Sequence, residues 1–145
     1  YTSPWPRALQ TAEIIAHELQ LDRVRIKPYL HELPPLVPAN DKGLSVHPGM
    51  PISPPEDRQA VVAQLERIRA RFFKSSRQDT TYVIVCHGNL IRYLVAETLG
   101  LPLEAWMHMD ISHASITEIR VFPQNICALV SYNDTGHHPP QLVSS

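Results

Sequence analysis

The 145-residue chain carries 13 Lys and Arg against 14 Asp and Glu, which gives a formal net charge of -1. A charge this close to zero gives no electrostatic reason to expect nucleic acid or an anionic membrane as the main partner. No apolar run approaches the ~20 residues of a membrane span, and a pair of cysteines does not make a disulfide framework. The composition fits one domain over residues 1–145 in an intracellular, cytoplasmic and reducing environment.

The first residues predict a strand end followed by a helix. Tyr1-Thr2-Ser3 is typical of a strand tail and, without an initiator Met, indicates a chain clipped at its N-terminus. Ser3 can cap the next helix, whose first turn tolerates prolines. Arg7 then lies at the positive end of the helix dipole, which favours an anion beside it. The apolar stripe of this helix is predicted at Ala8, Ala12, Ile15 and Leu19.

The middle of the chain predicts a short strand, a long loop and a second helix. Val24–Ile26 alternates as a strand, and residues 34–55 form a proline-rich loop insertion, of the kind that serves as a lid or pocket rim. Ser53 and Glu56 have capping-box spacing. The core face of the helix, ending near Lys74, is predicted at Val61, Leu65, Ile68 and Phe72, and its wet face carries Arg67, Arg69 and Arg71.

Residues 81–95 are the stretch around which the fold is organised. A run of apolar, mostly β-branched residues to Val85 predicts a strand buried on both faces of a parallel sheet. His87 follows this strand, and a helix over residues 88–99 ends before Gly100 and Pro102. A histidine at this turn lies where open α/β sheets bind ligands, and the helix start favours an anion such as phosphate.

The C-terminal third predicts a short helix over residues 102–109 and an antiparallel hairpin of residues 115–122 and 126–132. The predicted fold class is therefore α/β, with a mostly parallel sheet and a C-terminal hairpin at one side.

Two motifs resemble those of the histidine phosphatase superfamily, the phosphoglycerate mutase-like clan. Residues 3–12, Ser-Pro-Trp-Pro-Arg-Ala-Leu-Gln-Thr-Ala, resemble its S-x-x-x-R-A-x-Q-T-A motif, and residues 85–92 resemble its second-histidine motif, with Glu32 between them. Residues 86–87, 99–106, 114–117 and 134–136 with 139–140 are similar to the mitochondrial serine/threonine protein phosphatase branch, so mitochondria are a second candidate location. The resemblance implies a three-layer α/β/α fold.

The resemblance also implies a reaction and roles for residues. A histidine nucleophile would attack a phosphomonoester, of a small molecule or a phosphoprotein, and water would hydrolyse the phosphohistidine. Arg7 would clamp the phosphate, His87 would neutralise its oxygens, and Glu32 would act as general acid and then base. Gly88 could donate a backbone N–H, and Asn89 belongs to the same substrate-binding motif. This chemistry implies neither a metal nor another cofactor.

The family's nucleophile lies in an Arg-His-Gly motif on its first strand, and this sequence has none. His31 and His47 lack a preceding arginine and a strand-end context, so neither is proposed as the nucleophile. We therefore expect the fragment to be inactive alone and to lack the first central strand, which leaves edges that favour pairing with another copy. Two alternatives stay open: a phosphoglycerate mutase and a non-catalytic phosphate-binding module.

Other chemistry-bearing residues have simpler interpretations. Cys86 beside His87 suggests a thiol nucleophile, but neighbouring strand residues point to opposite faces, so a buried structural cysteine is favoured. The pairs His108 with His113 and His137 with His138 lack a further Cys or carboxylate that would complete a metal site.

Overall fold

The computed structural model describes residues 1–38 and 51–144 of the chain. Its helices are α1 (Pro6–Glu18), α2 (Pro55–Phe72) and α3 (Gly88–Thr98), and its strands are β1 (Ile116–Val121) and β2 (Cys127–Asp134). Short 3₁₀ turns cover Pro28–Leu30, Leu103–His108, Pro123–Asn125 and Pro140–Leu142. Most of the predicted loop over residues 34–55, with His47, lies outside the described residues.

The helices form where apolar residues recur at helical spacing. All four predicted core positions of α2 are buried, and α3 ends at Gly100, whose φ of +67° suits a glycine after a helix. In α1 the prediction was partly wrong, because the buried residues are Ala8, Ala12 and Ala16. Leu19 is 56% exposed. It faces, with Ile15, a groove of about 580 Å³ instead of the core.

The predicted capping box at the start of α2 is absent. Pro54 is the N-cap residue and α2 has no side-chain cap. The Ser53 hydroxyl instead donates to Pro35 O at 2.7 Å and accepts from Val37 N at 2.9 Å. Ser53 therefore fastens the described flanks of the proline-rich loop to each other, and Val37 is buried in the core.

Three extended segments run parallel, with residues 1–3 in the middle. Thr2 forms parallel bridges to Ile26 on one side and to Val85 on the other. The Thr2 amide donates to Arg25 O at 3.0 Å, and the Ser3 amide donates to Val85 O at 3.0 Å. The predicted strand tail and the predicted parallel arrangement are therefore both present, as isolated bridges.

The prediction that residues 81–85 are buried on both faces was wrong. Tyr82 is 38% and Val83 is 39% exposed. The described residues give this segment a backbone partner on one edge only, residues 1–3, and the groove beside α1 borders one of its faces.

The C-terminal hairpin was predicted correctly. β1 and β2 pair antiparallel, with Ile119 opposite Leu129, and both strands contact α3. The 3₁₀ turn before the hairpin buries Trp106, whose indole N–H donates to Leu36 O at 2.9 Å. The hairpin side of the fold thus holds α3, and with it the histidine at its start, in place.

Candidate active site

Ser3, Arg7 and His87 meet at one edge of the parallel segments. Ser3 ends the middle segment, Arg7 lies in the first turn of α1, and His87 follows its own segment as the N-cap residue of α3. Parallel strands present their C-terminal ends at the same edge, so residues far apart in sequence come together there.

The His87 ring is held through both of its nitrogens. Nδ1 lies 3.0 Å from Arg7 Nη2, and Nε2 lies 2.7 Å from Ser3 Oγ. A guanidinium can only donate, so we assign Nδ1 as the acceptor and place the proton on Nε2, which donates to the Ser3 hydroxyl. In this tautomer His87 does not act as a base toward Ser3, so the pair is not a serine nucleophile with its base.

The surroundings of His87 keep its imidazole neutral. Burial is the largest cause, followed by the positive charge of Arg7 and by His31, and together they lower the pKa of His87 to about 4. The ring is only 4% exposed. At neutral pH His87 is therefore a hydrogen-bonding imidazole, and an anion beside it would favour its protonation.

Arg7 has donors available for an anion. As predicted it lies in the first turn of α1, which contains no acidic residue. Within the described ranges no carboxylate is in ion-pair distance of Arg7. One guanidinium nitrogen contacts His87, and the carbon atom Cζ lies 4.4 Å from the centre of the Trp5 ring. The planar fork can offer further N–H groups to a phosphate.

Glu32 lies at the N-terminal end of the helix that His87 caps. Its Oε1 accepts from Leu33 N at 3.1 Å and from Leu90 N, in the first turn of α3, at 3.3 Å. Burial raises the pKa of Glu32, although these backbone donors and Arg7 oppose the shift. A carboxyl group with a raised pKa beside an anion pocket can carry a proton to a leaving group.

Gly88 and Asn89 lie in the first turn of α3, directly after His87. A Cβ at Gly88 would lie 3.2 Å from Ile111 Cγ2, so the position is tightly packed. The Asn89 side chain donates to Leu33 O at 3.0 Å and accepts from Arg92 at 3.1 Å. Both ends of this amide are engaged by the protein, so the observed contacts of Asn89 position the Glu32 segment against α3.

Two residues of this site were not predicted as functional. Ser3 was interpreted only as a helix cap, but its side chain is fully buried and receives the His87 N–H. The signal for it was the S-x-x-x-R spacing, which sets Ser3 at a strand end when Arg7 opens the helix. Trp5 gave no signal; its ring lies 4.8 Å from that of His87.

The remaining nucleophile and metal candidates lie outside this arrangement or are inert. Burial raises the pKa of the Cys86 thiol to about 12, which fits the interpretation as a structural cysteine. His31 Nδ1 lies 2.7 Å from the backbone oxygen of Glu32. Across residues 1–38 and 51–144, no three His, Cys, Asp or Glu side chains converge in a way that could hold a metal ion.

Comparison with known proteins places the chain in a family. The model of the histidine phosphatase superfamily (branch 1) matches residues 39–135. The serine/threonine-protein phosphatase Pgam5, mitochondrial, of Caenorhabditis elegans is 33% identical over 141 residues, which are 95% of this chain and 48% of that protein. The protein of the same name from Drosophila mojavensis is 33% identical over 141 residues, which are 96% of this chain and 48% of that protein.

Among solved structures, the crystal structure of a phosphoglycerate mutase from Plasmodium falciparum is similar. It superimposes with a TM-score of 0.61 at 21% identity, over 96% of this chain and 71% of that one. At this identity the likeness shows the fold, so the predicted phosphoglycerate mutase-like α/β fold is confirmed. The chain spans about half the length of the curated relatives named above. With its family model matched over most of its length, the chain belongs to the histidine phosphatase superfamily.

Proposed function

We propose that these residues form the phosphate pocket of a phosphomonoester phosphatase that acts through a phosphohistidine, with phosphoserine or phosphothreonine proteins as substrates. The contact of 3.0 Å between Arg7 Nη2 and His87 Nδ1, at the N-terminal end of α3, carries this proposal. Two groups that bind phosphate oxygens are thereby held at a helix start. The names of the Pgam5 relatives support the substrate class and a mitochondrial location.

Arg7, His87 and Glu32 have separate roles in the proposed reaction. The phosphate offsets the charge of Arg7 and favours protonation of His87. Arg7 and the resulting His87 imidazolium bind the equatorial oxygens, and they stabilise the charge that develops on them. As the nucleophilic nitrogen bonds to phosphorus and the ester P–O bond breaks, Glu32 gives its proton to the leaving oxygen. Glu32 then takes a proton from water, whose oxygen attacks phosphorus and breaks the N–P bond.

The nucleophile is assigned to the whole protein and not to a residue described above. No Arg-His-Gly sequence occurs in residues 1–145. Arg7, Glu32 and His87 are therefore proposed as the pocket and the acid, and the activity is proposed for the protein in which these residues occur with their nucleophile.

Substitution of the pocket residues in the whole protein tests this function. We expect Arg7→Ala and His87→Ala each to lower kcat by roughly 10²–10³, while Arg120→Ala, an exposed arginine paired with Glu118, leaves it unchanged. Rapid quenching with labelled substrate should trap an acid-labile phosphoenzyme. Unchanged turnover in the His87 variant would contradict the mechanism, and interconversion of phosphoglycerates without phosphate release would indicate a mutase.

The second candidate is a non-catalytic module that binds phosphate. The contact between Arg7 and His87 needs no nucleophile in order to bind an anion, so it supports this candidate as well. It predicts that the whole protein binds phosphate or vanadate through Arg7 and forms no phosphoenzyme, so the same quenching experiment separates the two functions.

A further inference from the structure

We propose that Trp5 is a positioning residue of the phosphate pocket, which fixes the Arg7 guanidinium against His87 through its indole ring. This inference rests on the proposed phosphate pocket. The indole ring contacts both phosphate-binding groups: Arg7 Cζ lies 4.4 Å from its centre, and the His87 ring lies 4.8 Å away at 60°. A guanidinium over an aromatic face is attracted by the electrons of the ring.

The backbone of Trp5 is fixed by the sequence around it. Pro6 disfavours the helical region for the residue before it, and Trp5 adopts the extended φ of −74° and ψ of 139° that this rule requires. The Trp5 amide also donates to Ser3 Oγ at 3.3 Å, the same oxygen that receives the His87 N–H. The backbone that carries the indole is thus fixed by local geometry before a ligand binds.

Trp5 does not serve the hydrophobic core. Its side chain is 39% exposed and it is absent from the core cluster, whereas Trp106 is 1% exposed and belongs to it. A large aromatic residue left in contact with solvent, and packed on two polar side chains, is therefore better explained by what it does for those side chains. Arg7 is a long, exposed side chain that would otherwise sample many rotamers, and ordering it in advance saves that entropy when phosphate binds.

The test compares Trp5→Ala with Trp5→Phe in the whole protein, using inorganic phosphate as the probe. We expect Trp5→Ala to weaken phosphate binding about fivefold, or ~1 kcal/mol, and Trp5→Phe to restore most of it. Phe122→Ala, which removes an aromatic side chain of similar exposure (43%) on the hairpin side, should leave the affinity unchanged. The dissociation constants are measured by ³¹P NMR titration.

A double-mutant cycle shows whether Trp5 acts through Arg7. In an Arg7→Ala background, Trp5→Ala should cause no further loss of phosphate affinity. Equal losses in both backgrounds would overturn the proposal, because Trp5 would then contact the ligand or support the fold independently of Arg7.

A measurement without ligand separates this proposal from the proposed function. ¹⁵N relaxation of the Arg7 Nε–H reports the order of the guanidinium. We expect the order to fall in Trp5→Ala and to be retained in Trp5→Phe, even if the protein fails to bind phosphate and the proposed function is lost. An equally ordered Arg7 in Trp5→Ala would refute the positioning role.

Discussion

At the scale of single residues, the protonation state of His87 decides how the pocket binds an anion. Arg7 donates to Nδ1 and Ser3 accepts from Nε2–H, so the His87 imidazole is neutral. The pKa of about 4 follows from burial first and from Arg7 second. A dianion would offset the Arg7 charge and stabilise the imidazolium, so anion binding and proton uptake are linked.

Sulfate, a tetrahedral dianion whose charge does not change over this pH range, tests the linkage. Because its binding raises the His87 pKa above about 4, affinity should be greatest at low pH and should weaken as the pH rises through the pKa of the complex. Isothermal titration calorimetry in buffers of different ionisation enthalpy should show proton uptake in the wild type and less in His87→Gln. Binding without proton uptake by the wild type would contradict the prediction.

Glu32 gives a second prediction at this scale. Glu32→Gln keeps an oxygen that accepts from Leu33 N and Leu90 N but carries no proton for the leaving group. We expect kcat of the whole protein on a phosphoserine peptide to fall by ~10²–10⁴. The loss on p-nitrophenyl phosphate should be smaller, because its leaving oxygen needs little protonation. Equal losses on both substrates would argue against Glu32 as the acid, and exposed Glu118 provides a matched Glu→Gln control.

At the scale of elements, α3 holds the described start of the proline-rich loop. The Tyr93 hydroxyl donates to Pro34 O at 2.8 Å and accepts from Leu36 N at 2.7 Å. Tyr93 and Leu36 are both buried. These bonds, with those of Asn89 and Trp106, fix residues 32–36 and thereby the position of Glu32 relative to the helix that His87 caps.

Tyr93→Phe therefore should lower the free energy of unfolding by about 1–3 kcal/mol, because it leaves the buried amide of Leu36 and the half-buried carbonyl of Pro34 without their partner. Urea unfolding of both proteins measures the difference. Tyr82→Phe is the matched control; its ring is 38% exposed, and we expect a change within ~0.5 kcal/mol. Equal effects of the two substitutions would show that the Tyr93 bonds contribute little.

The positions of the helices and of the hairpin were largely predictable, because apolar residues recur along a helix or a strand with the period of that kind of element. The core face of α2 and the hairpin follow from such local patterns. The capping box failed because Ser53 bonds to Pro35 and Val37, partners that its spacing to Glu56 does not indicate.

At the scale of the whole molecule, the parallel segments present an open edge. The backbone groups of Val83 and Val85 form hydrogen bonds with residues 1–3. The backbone groups of Ile84 and Cys86 point to the opposite edge, where the described part of the chain offers them no backbone partner. Exposed edges of this kind favour pairing with another chain.

In the described ranges, no helix is both long and apolar enough to span a membrane.

We expect the 145-residue chain to self-associate through this edge. In sedimentation velocity its average mass should rise with concentration, and Val83→Lys should reduce the rise, because a charge beside the edge opposes pairing. Val130→Lys, at a valine 48% exposed on β2, is the matched control. A monomer at every concentration would contradict this prediction.

The sequence by itself determined the helices, the hairpin, the family motifs and the placement of His87 and Arg7 at element starts, because these depend on spacing within short segments. The tertiary structure decided the rest. The hydrogen bond between Ser3 and His87 joins residues 84 positions apart, and that between Arg7 and His87 joins residues 80 apart. The tautomer of His87, the protein-facing contacts of Asn89 and the contact of Trp5 with His87 depend on which surfaces meet, and a local pattern carries no information about such long-range contacts.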